Sequence, residues 1–369
     1  MADQAVTTSP WPRGLYVLLV GAAAMIVIAG LRAFASSLST IFLALILIVL
    51  ARPVQRALVD RGLPSWVGLA GLLVTAYGTL ALIAASLAWS IAQLVDHLAG
   101  GAYDDQIDEY RTTIGDALTD LGFSGDVQAL FDELDLSSLA GQFLSAVSGA
   151  LGILSLLSLL VIAMLFMAVD TSRFTAHLEG SVAEERPGVV HALHRFTAAT
   201  RSYFVVATVF GLIVAVFDVI ALLILGVPLA IVWGVLSLIT NYIPNVGFVL
   251  GLIPPALLAL LEGGWQLALI VVVVYVVINV VIQSVIQPKF VGDAVGLSAT
   301  LTFLSLIFWG WVFGPLGALL AVPMTLLAKA LLIDADPEAR WLSPLIALGD
   351  PNTAPVADDP SPGEEAATT

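Results

Sequence analysis

Asp218 stands alone in the apolar run FGLIVAVFDVIALLILG, eight residues before Gly226. At about 1.5 Å per residue that places it roughly 12 Å from a helix end. A carboxylate at membrane depth costs about 2.5–3.5 kcal/mol on insertion scales, so it faces protein or water. It is either a structural acceptor in a hairpin or a residue that binds a proton or monovalent cation. A second polar set lies farther along: Tyr275, Asn279, Gln283 and Gln287 recur every four residues and share one helical face. Such a stripe either bonds a neighbouring hairpin or lines the path of a solute that needs neutral donors and acceptors. His191 and His194 are three apart, but no third ligand stands at helical spacing, so no metal site is expected.

Other chemistries lack their residues. The chain contains no cysteine, which excludes a disulfide framework and a thiolate metal site. There is no G-x-x-x-x-G-K-[ST] loop, and the lysines are Lys289 and Lys329, which disfavours an ATP-driven pump. No nucleophile, base and orienter stand together, so neither an enzyme nor a cofactor is expected. A net charge of -15 suits no nucleic acid.

The elements that must position these residues are set by composition. Hydrophobic residues make up 59% of the 369 and charged residues 11%, with a mean hydropathy of +1.02. Soluble domains have roughly 45–50% apolar and about 25% charged residues. The chain is expected to be an integral membrane protein. Apolar runs long enough to matter lie at Leu15 to Leu31, Ser36 to Ala51 (short), Trp66 to Leu94, Val147 to Val169, Tyr203 to Leu225, Leu229 to Leu261, Trp265 to Ile286 and Val295 to Ile333. The first ends near a signal-like AFA, but its charged n-region is poor and another apolar run follows at once, so it reads as a retained helix.

Two of these runs are too long for one straight span. Leu229 to Leu261 would reach roughly 50 Å as a single helix, against a hydrocarbon core near 30 Å. It is interrupted by TNYIPNVGFVLGLIPP, where Asn241, Pro244, Asn245 and Gly247 supply the chemistry of a bend. Val295 to Ile333 is interrupted in the same manner by FGPLGALLAVP, with Gly314, Pro315 and Gly317. Both read Pro, Gly, an apolar stretch and a second Pro. Paired interruptions in corresponding positions of two halves are the pattern of a transporter binding site, since irregular backbone at membrane depth must be buried in protein or line a cavity. If the first segment dips in and returns, the halves are inverted repeats and Lys289 is cytoplasmic. If both segments cross fully, the halves are parallel copies and Lys289 lies outside. Length and Lys289 favour the first arrangement.

Orientation follows from the basic residues. The link with Arg52, Arg56 and Arg61, and the link from Asp170 to Ser202 with Arg173, Arg186, Arg195 and Arg201, are expected in the cytoplasm. Asp96 to Ala146 holds eleven acids against Arg111 and is expected outside. There Ile107, Ile114, Leu118 and Leu121 recur at helical spacing, giving either a solvated cap or a cation-attracting vestibule. In the inner link Val190, Leu193 and Phe196 share a face, which suits a helix lying in the interface. The Pro- and acid-rich tail from Asp350 has almost nothing to bury and is expected to be disordered.

The stretches NYIPNVGFVLGLIPP and VIQPKFVGDAVGLSATLTFLSLIFWGWVFGPLGALLAVPMTLLAKALL, with the earlier RPVQRALVDRGLPS, resemble the autoinducer-2 exporter family of bacterial permeases over about Leu15 to Ile333. One departure is Ala299, where the family usually shows Pro after the Leu-Ser pair. The resemblance implies export of small polar molecules, the furanone-like autoinducer-2 signal in some members and cation/proton antiport in others, and it implies a homo-oligomer.

The combined expectation is an all-α polytopic membrane protein with about eight membrane segments, two of them broken or re-entrant hairpins, plus a small external helical segment. Its parts are a cytoplasmic N-terminus (1–14), three transmembrane helices (15–95), the acidic external segment (96–146), a fourth helix (147–169), the cytoplasmic amphipathic link (170–202), a transport core (203–333) and a disordered cytoplasmic tail (334–369). A small polar solute is expected at Asn241, Pro244, Asn245, Gly247, Asn279, Gln283, Gln287, Gly314, Pro315 and Gly317, with Asp218 coupling a proton or monovalent cation. The setting is the bacterial inner membrane with both termini inside. A passive channel or a membrane scaffold is the competing class.

Overall fold

The computed structural model describes residues 12–98, 150–244, 246–287 and 297–336, together with 112 and 339. The expectations for Asn245, for Lys289, for the acidic segment beyond Leu98 and for the tail beyond 339 lie outside the described residues. Within them every regular element is helical: α1 (Arg13–Ala33), α2 (Ala35–Asp60), α3 (Ser65–Leu98), α4 (Ala150–His177), α5 (Pro187–Leu225), α6 (Ala230–Thr240), α7 (Gly247–Asn279), α8 (Ala299–Phe313), α9 (Pro315–Leu319) and α10 (Ala321–Lys329). Wider π-helical turns follow α4, α7 and α10 at Leu178–Val182, Val280–Ile286 and Ala330–Asp334.

Four helical stretches are long and apolar enough to cross a membrane: α2, Ser65–Leu94, α5 and Gly247–Ile286. A fifth is the bent pair Leu159–Thr171 and Arg173–Glu185, angled by 42°, if it is one span. Large apolar side chains on their outer faces have no protein cover; Val74, Leu82 and Ile224 are 71%, 71% and 79% exposed. Such surface is stable against lipid tails and not against water.

Two segments differ from the sequence reading. The short run Ser36 to Ala51 does not end there, because α2 continues helically through Arg52 and Arg56 to Asp60 despite Pro53. Proline cannot donate to the carbonyl four residues back, here that of Val49. Arg201 Nη2 donates to that oxygen instead, at 3.1 Å. The link from Asp170 to Ser202 is likewise not a separate interfacial helix. α4 runs on to His177, and a new helix starts with Pro187 at its first position and continues unbroken into the span as α5. Phe196 is buried against Ile46, Leu320 and Val322, so the apolar face expected at the lipid interface instead packs on α2 and on the second interrupted segment.

Among the described residues four apolar cores hold the helices together, the smallest made by Phe210 and Val214 of α5 with Ile282 of the turn after α7. One joins Leu222 of α5, Trp233 of α6 and Leu258 and Tyr275 of α7. Another joins Leu47 of α2, Leu72 of α3 and Met164 of α4. The third gathers α2, the start of α5 and the second interruption. α5 therefore belongs to both ends of the molecule. It stops where Gly226 adopts a left-handed conformation (φ 73°) and the Val227 N–H returns to the Leu222 carbonyl at 3.0 Å, which closes the helix end.

Both interruptions are breaks in the helix. After Thr240 the chain turns at Asn241 to Pro244, and the helix from Gly247 comes straight back along α6: Gly251 lies against Ser237, and a side chain at Gly247 would strike the Thr240 carbonyl. Gly263 and Gly264 then separate this arm from the stretch beginning at Trp265. In the second interruption Gly314 turns the chain at φ 69°, and Gly317 lies against the Trp309 carbonyl. Entry to α8 does not need the family's proline, since the Ser298 side chain accepts the Leu301 N–H at 3.2 Å as an N-cap, with Ala299 as the first helical residue.

Candidate functional site

Where α5, α6 and α7 meet, polar side chains form a seam through the apolar core. Asp218 of α5 is fully buried, and Ser237 Oγ of α6 donates to its Oδ2 at 2.6 Å. Tyr275 of α7 is also buried and sits beside both. Asp218 Oδ1 and the Tyr275 hydroxyl have no hydrogen-bond partner among the described residues. A buried polar atom left unpaired costs about 1–3 kcal/mol. Two at one point mark a place able to accept a small donor or a cation.

One helical turn away lies a relay of amides. Gln283 Nε2 donates to Asn241 Oδ1 and to Asn279 Oδ1, both at 2.8 Å. Asn241 Nδ2 donates in turn to the Ala207 carbonyl of α5 at 3.0 Å, and Asn279 Nδ2 to the Tyr275 carbonyl at 2.9 Å. Ser237 of α6 and Asn241 at its C-terminal cap are four apart, as are Tyr275 and Asn279 on α7, so both helices present the two levels on one face.

Small residues allow this approach. Gly211 admits Asn241, whose Nδ2 would stand 2.7 Å from any Cβ placed there. Gly251 lets α7 reach Ser237 and Thr240. Gln283 sits within the π-helical turn Val280–Ile286, which widens the helix beside the relay.

Asp218, Asn241, Asn279 and Gln283, all expected from the sequence, are therefore brought together. Gly247 helps to build the bend beside them. Pro244 caps the bend with its carbonyl accepting the Val246 N–H, while Gln287 ends the described helix beyond the bonded group. Gly314, Pro315 and Gly317 stand apart from this group, beside the third core, with Pro315 exposed; there Trp309 stacks on Phe313 and donates through Nε1 to Thr325 Oγ1 at 2.9 Å. What connects the two interruptions is one turn of α5. Tyr203 donates to the Tyr242 carbonyl at 2.7 Å and Phe204 lies against the Tyr242 ring, yet both also pack on the core containing Leu320 and Phe313. Sequence reasoning misses Ser237, Gly211, Gly251 and Tyr203; the spacing of Ser237 four before Asn241 is the signal that could have found the first of them.

The model of the AI-2E family transporter matches residues 15–335. The AI-2 transport protein TqsA of Escherichia coli (strain K12) is 29% identical over 319 residues, covering 86% of this chain and 91% of that protein. The putative transport protein YhhT of the same organism is 26% identical over 324 residues, covering 88% and 92%. YueF of Bacillus subtilis (strain 168), also a putative transport protein, is 25% identical over 339 residues, covering 87% and 91%. The match spans most of the chain and its long helices are apolar: the chain belongs to the AI-2E transporter family and is a membrane protein.

Proposed function

We propose that this protein is a secondary transporter that exports a small polar molecule, an autoinducer-2-like signal, from the bacterial cytoplasm at the expense of a proton or monovalent-cation gradient. The observation that carries the reading is the buried seam of α5, α6 and α7. Its amide level offers neutral donors and acceptors of the kind a hydroxylated solute exchanges for water. Its acidic level holds a carboxylate with a free oxygen, which a neutral solute does not need and a coupling ion does. The name and similarity of TqsA support the solute class.

In this reading the two interruptions are re-entrant hairpins that complete about eight membrane segments in two inverted halves, and rocking of one half against the other exposes the seam to alternate sides. Both termini and the Lys289 region lie in the cytoplasm, and the protein works as a homo-oligomer.

The test is flux of autoinducer-2 in proteoliposomes of the full chain with imposed pH or sodium gradients. Gradient-dependent movement supports the proposal; movement indifferent to every gradient refutes coupling. The free Asp218 oxygen favours one second reading, cation/proton antiport. That reading is selected if sodium moves against a pH gradient without any organic solute. Single-channel currents would point instead to a passive pore, and no flux at all to a scaffold.

A further inference from the structure

Where α2, α4 and the start of α5 converge lies a cavity of about 540 Å³ whose lining includes none of the seam residues. Three arginines line it: Arg52 and Arg56 of α2 and Arg201 of α5. Arg56 repels both others, and Arg52 and Arg201 repel one another; Glu179, the one carboxylate on the wall, attracts Arg52 and leaves the three arginines in excess. Yet none of the three forms an ion pair within 4.0 Å with a described residue. Arg52 is held in place by Thr175 Oγ1 at 2.7 Å, and Arg201 by the Val49 carbonyl that Pro53 leaves free. Arg201 Nε is buried with no partner among the described residues. Thr197 and His194 add further polar atoms, while Ile48, Phe174 and Leu193 make the rest of the wall apolar. Beyond Arg52 and Arg56 a neighbouring cavity of about 400 Å³ opens, which also contains Asp60.

Like charges gathered and anchored by neutral partners are unfavourable unless something anionic joins them. The guanidinium fork matches phosphate oxygens in paired hydrogen bonds, and basic pockets between membrane helices take anionic head groups. We propose that this cavity binds a phosphate-bearing anion through Arg52, Arg56 and Arg201, with the apolar wall accepting the chain of an amphiphile. The ligand is the head group of an anionic phospholipid or a free phosphate ester.

The experiment uses the full chain in detergent, following tryptophan fluorescence on heating while titrating three probes: dioctanoyl-phosphatidylglycerol, dioctanoyl-phosphatidylcholine and glycerol phosphate. The expected result is stabilisation by the anionic lipid, weakened by salt and absent with phosphatidylcholine. Stabilisation by glycerol phosphate as well assigns the site to phosphate esters at large. Arg56→Gln removes a side chain that makes no hydrogen bond to a described residue, and should weaken binding about fivefold without lowering the unliganded melting temperature, since it relieves repulsion. Arg201→Lys, which keeps charge but loses the fork, should also weaken it, whereas Arg61→Gln, outside the cavity, should not. Equal stabilisation of wild type and Arg56→Gln, or none by either phosphate probe, overturns the proposal.

Discussion

Gly211 of α5 and Asn241 of the first bend occupy the same space: the asparagine amide fills the position a side chain on Gly211 would need, 2.7 Å from where its Cβ would stand. The relay Ala207–Asn241–Gln283–Asn279 depends on that vacancy. Gly211→Ala is therefore expected to destabilise the protein by about 1–3 kcal/mol and to lower transport sharply. Gly78→Ala, which meets nothing within 4 Å, should do neither. Thermal unfolding in detergent and proteoliposome flux measure both.

Asp218→Asn preserves the shape of the acidic level while removing its charge. Folding should be retained, and the dependence of flux on a pH or sodium gradient should disappear. The same gradient dependence in mutant and wild type would make Asp218 a structural residue. Ser237→Ala, which strips the carboxylate of its hydrogen bond, should cost about 1–3 kcal/mol in stability.

Replacing Gln283 by Leu leaves two asparagine oxygens unpaired at once. A double-mutant cycle with Asn241→Ala should return a coupling near ~0.6 kcal/mol, the average for polar pairs between membrane helices. A coupling of zero would show that the relay does not hold α7 to the bend.

Because the chain has no cysteine, the reversal at the first bend can be tested directly. Ser237→Cys with Gly251→Cys should oxidise to an intramolecular disulfide, since a Cβ placed on residue 251 would lie 3.3 Å from Ser237 Oγ. Failure to crosslink under oxidant, with normal insertion, would contradict the returning arm. In intact cells, Asp116→Cys should react with an impermeant thiol reagent if the acidic segment is external. Labelling only after lysis would reverse the assigned orientation.

Pro53 and Arg201 should be thermodynamically linked. Arg201→Gln strands the Val49 carbonyl and is expected to cost about 1–3 kcal/mol. In a Pro53→Ala background, where a backbone N–H can reach that carbonyl, the loss should be smaller. Equal losses in the two backgrounds, measured by thermal unfolding, would argue against the link.

The breaks in the helices are legible because proline and glycine carry local instructions. Asn241–Gly247 and Gly314–Gly317 can be placed from residue type alone. Asn279 and Gln283 are legible because a four-residue period survives any packing. What periodicity cannot give is the partner. Ser237, one hydroxyl in an apolar helix, acquires meaning only when α6 is laid against Asp218 of another helix. Gly211 and Gly251 look like ordinary small residues until a neighbour is seen occupying their missing side chains. The extension of α2 past Pro53 is hidden for a different reason, since a proline usually ends a helix and the compensating donor, Arg201, is supplied by a helix distant in sequence. The amphipathic face Val190–Phe196 reads as lipid-facing because a lipid surface and a protein surface ask for the same pattern.

In the proposed transport cycle the aromatic step at Tyr203 and Phe204 would make α5 a shared rail for the two interruptions. On one side it holds the first bend by directional bonds, from Tyr203 to the Tyr242 carbonyl, from Asn241 to the Ala207 carbonyl and between Thr208 and the Tyr242 hydroxyl, and on the other, among the described residues, it meets the second through ring and aliphatic contacts. Flat rings glide over apolar neighbours at little cost in directional bonding, whereas the bond to Tyr242 has a fixed length and angle. In the proposed transport cycle, displacement between the two bends would then be unequal: the first would travel with the rail, and the second would shear along it.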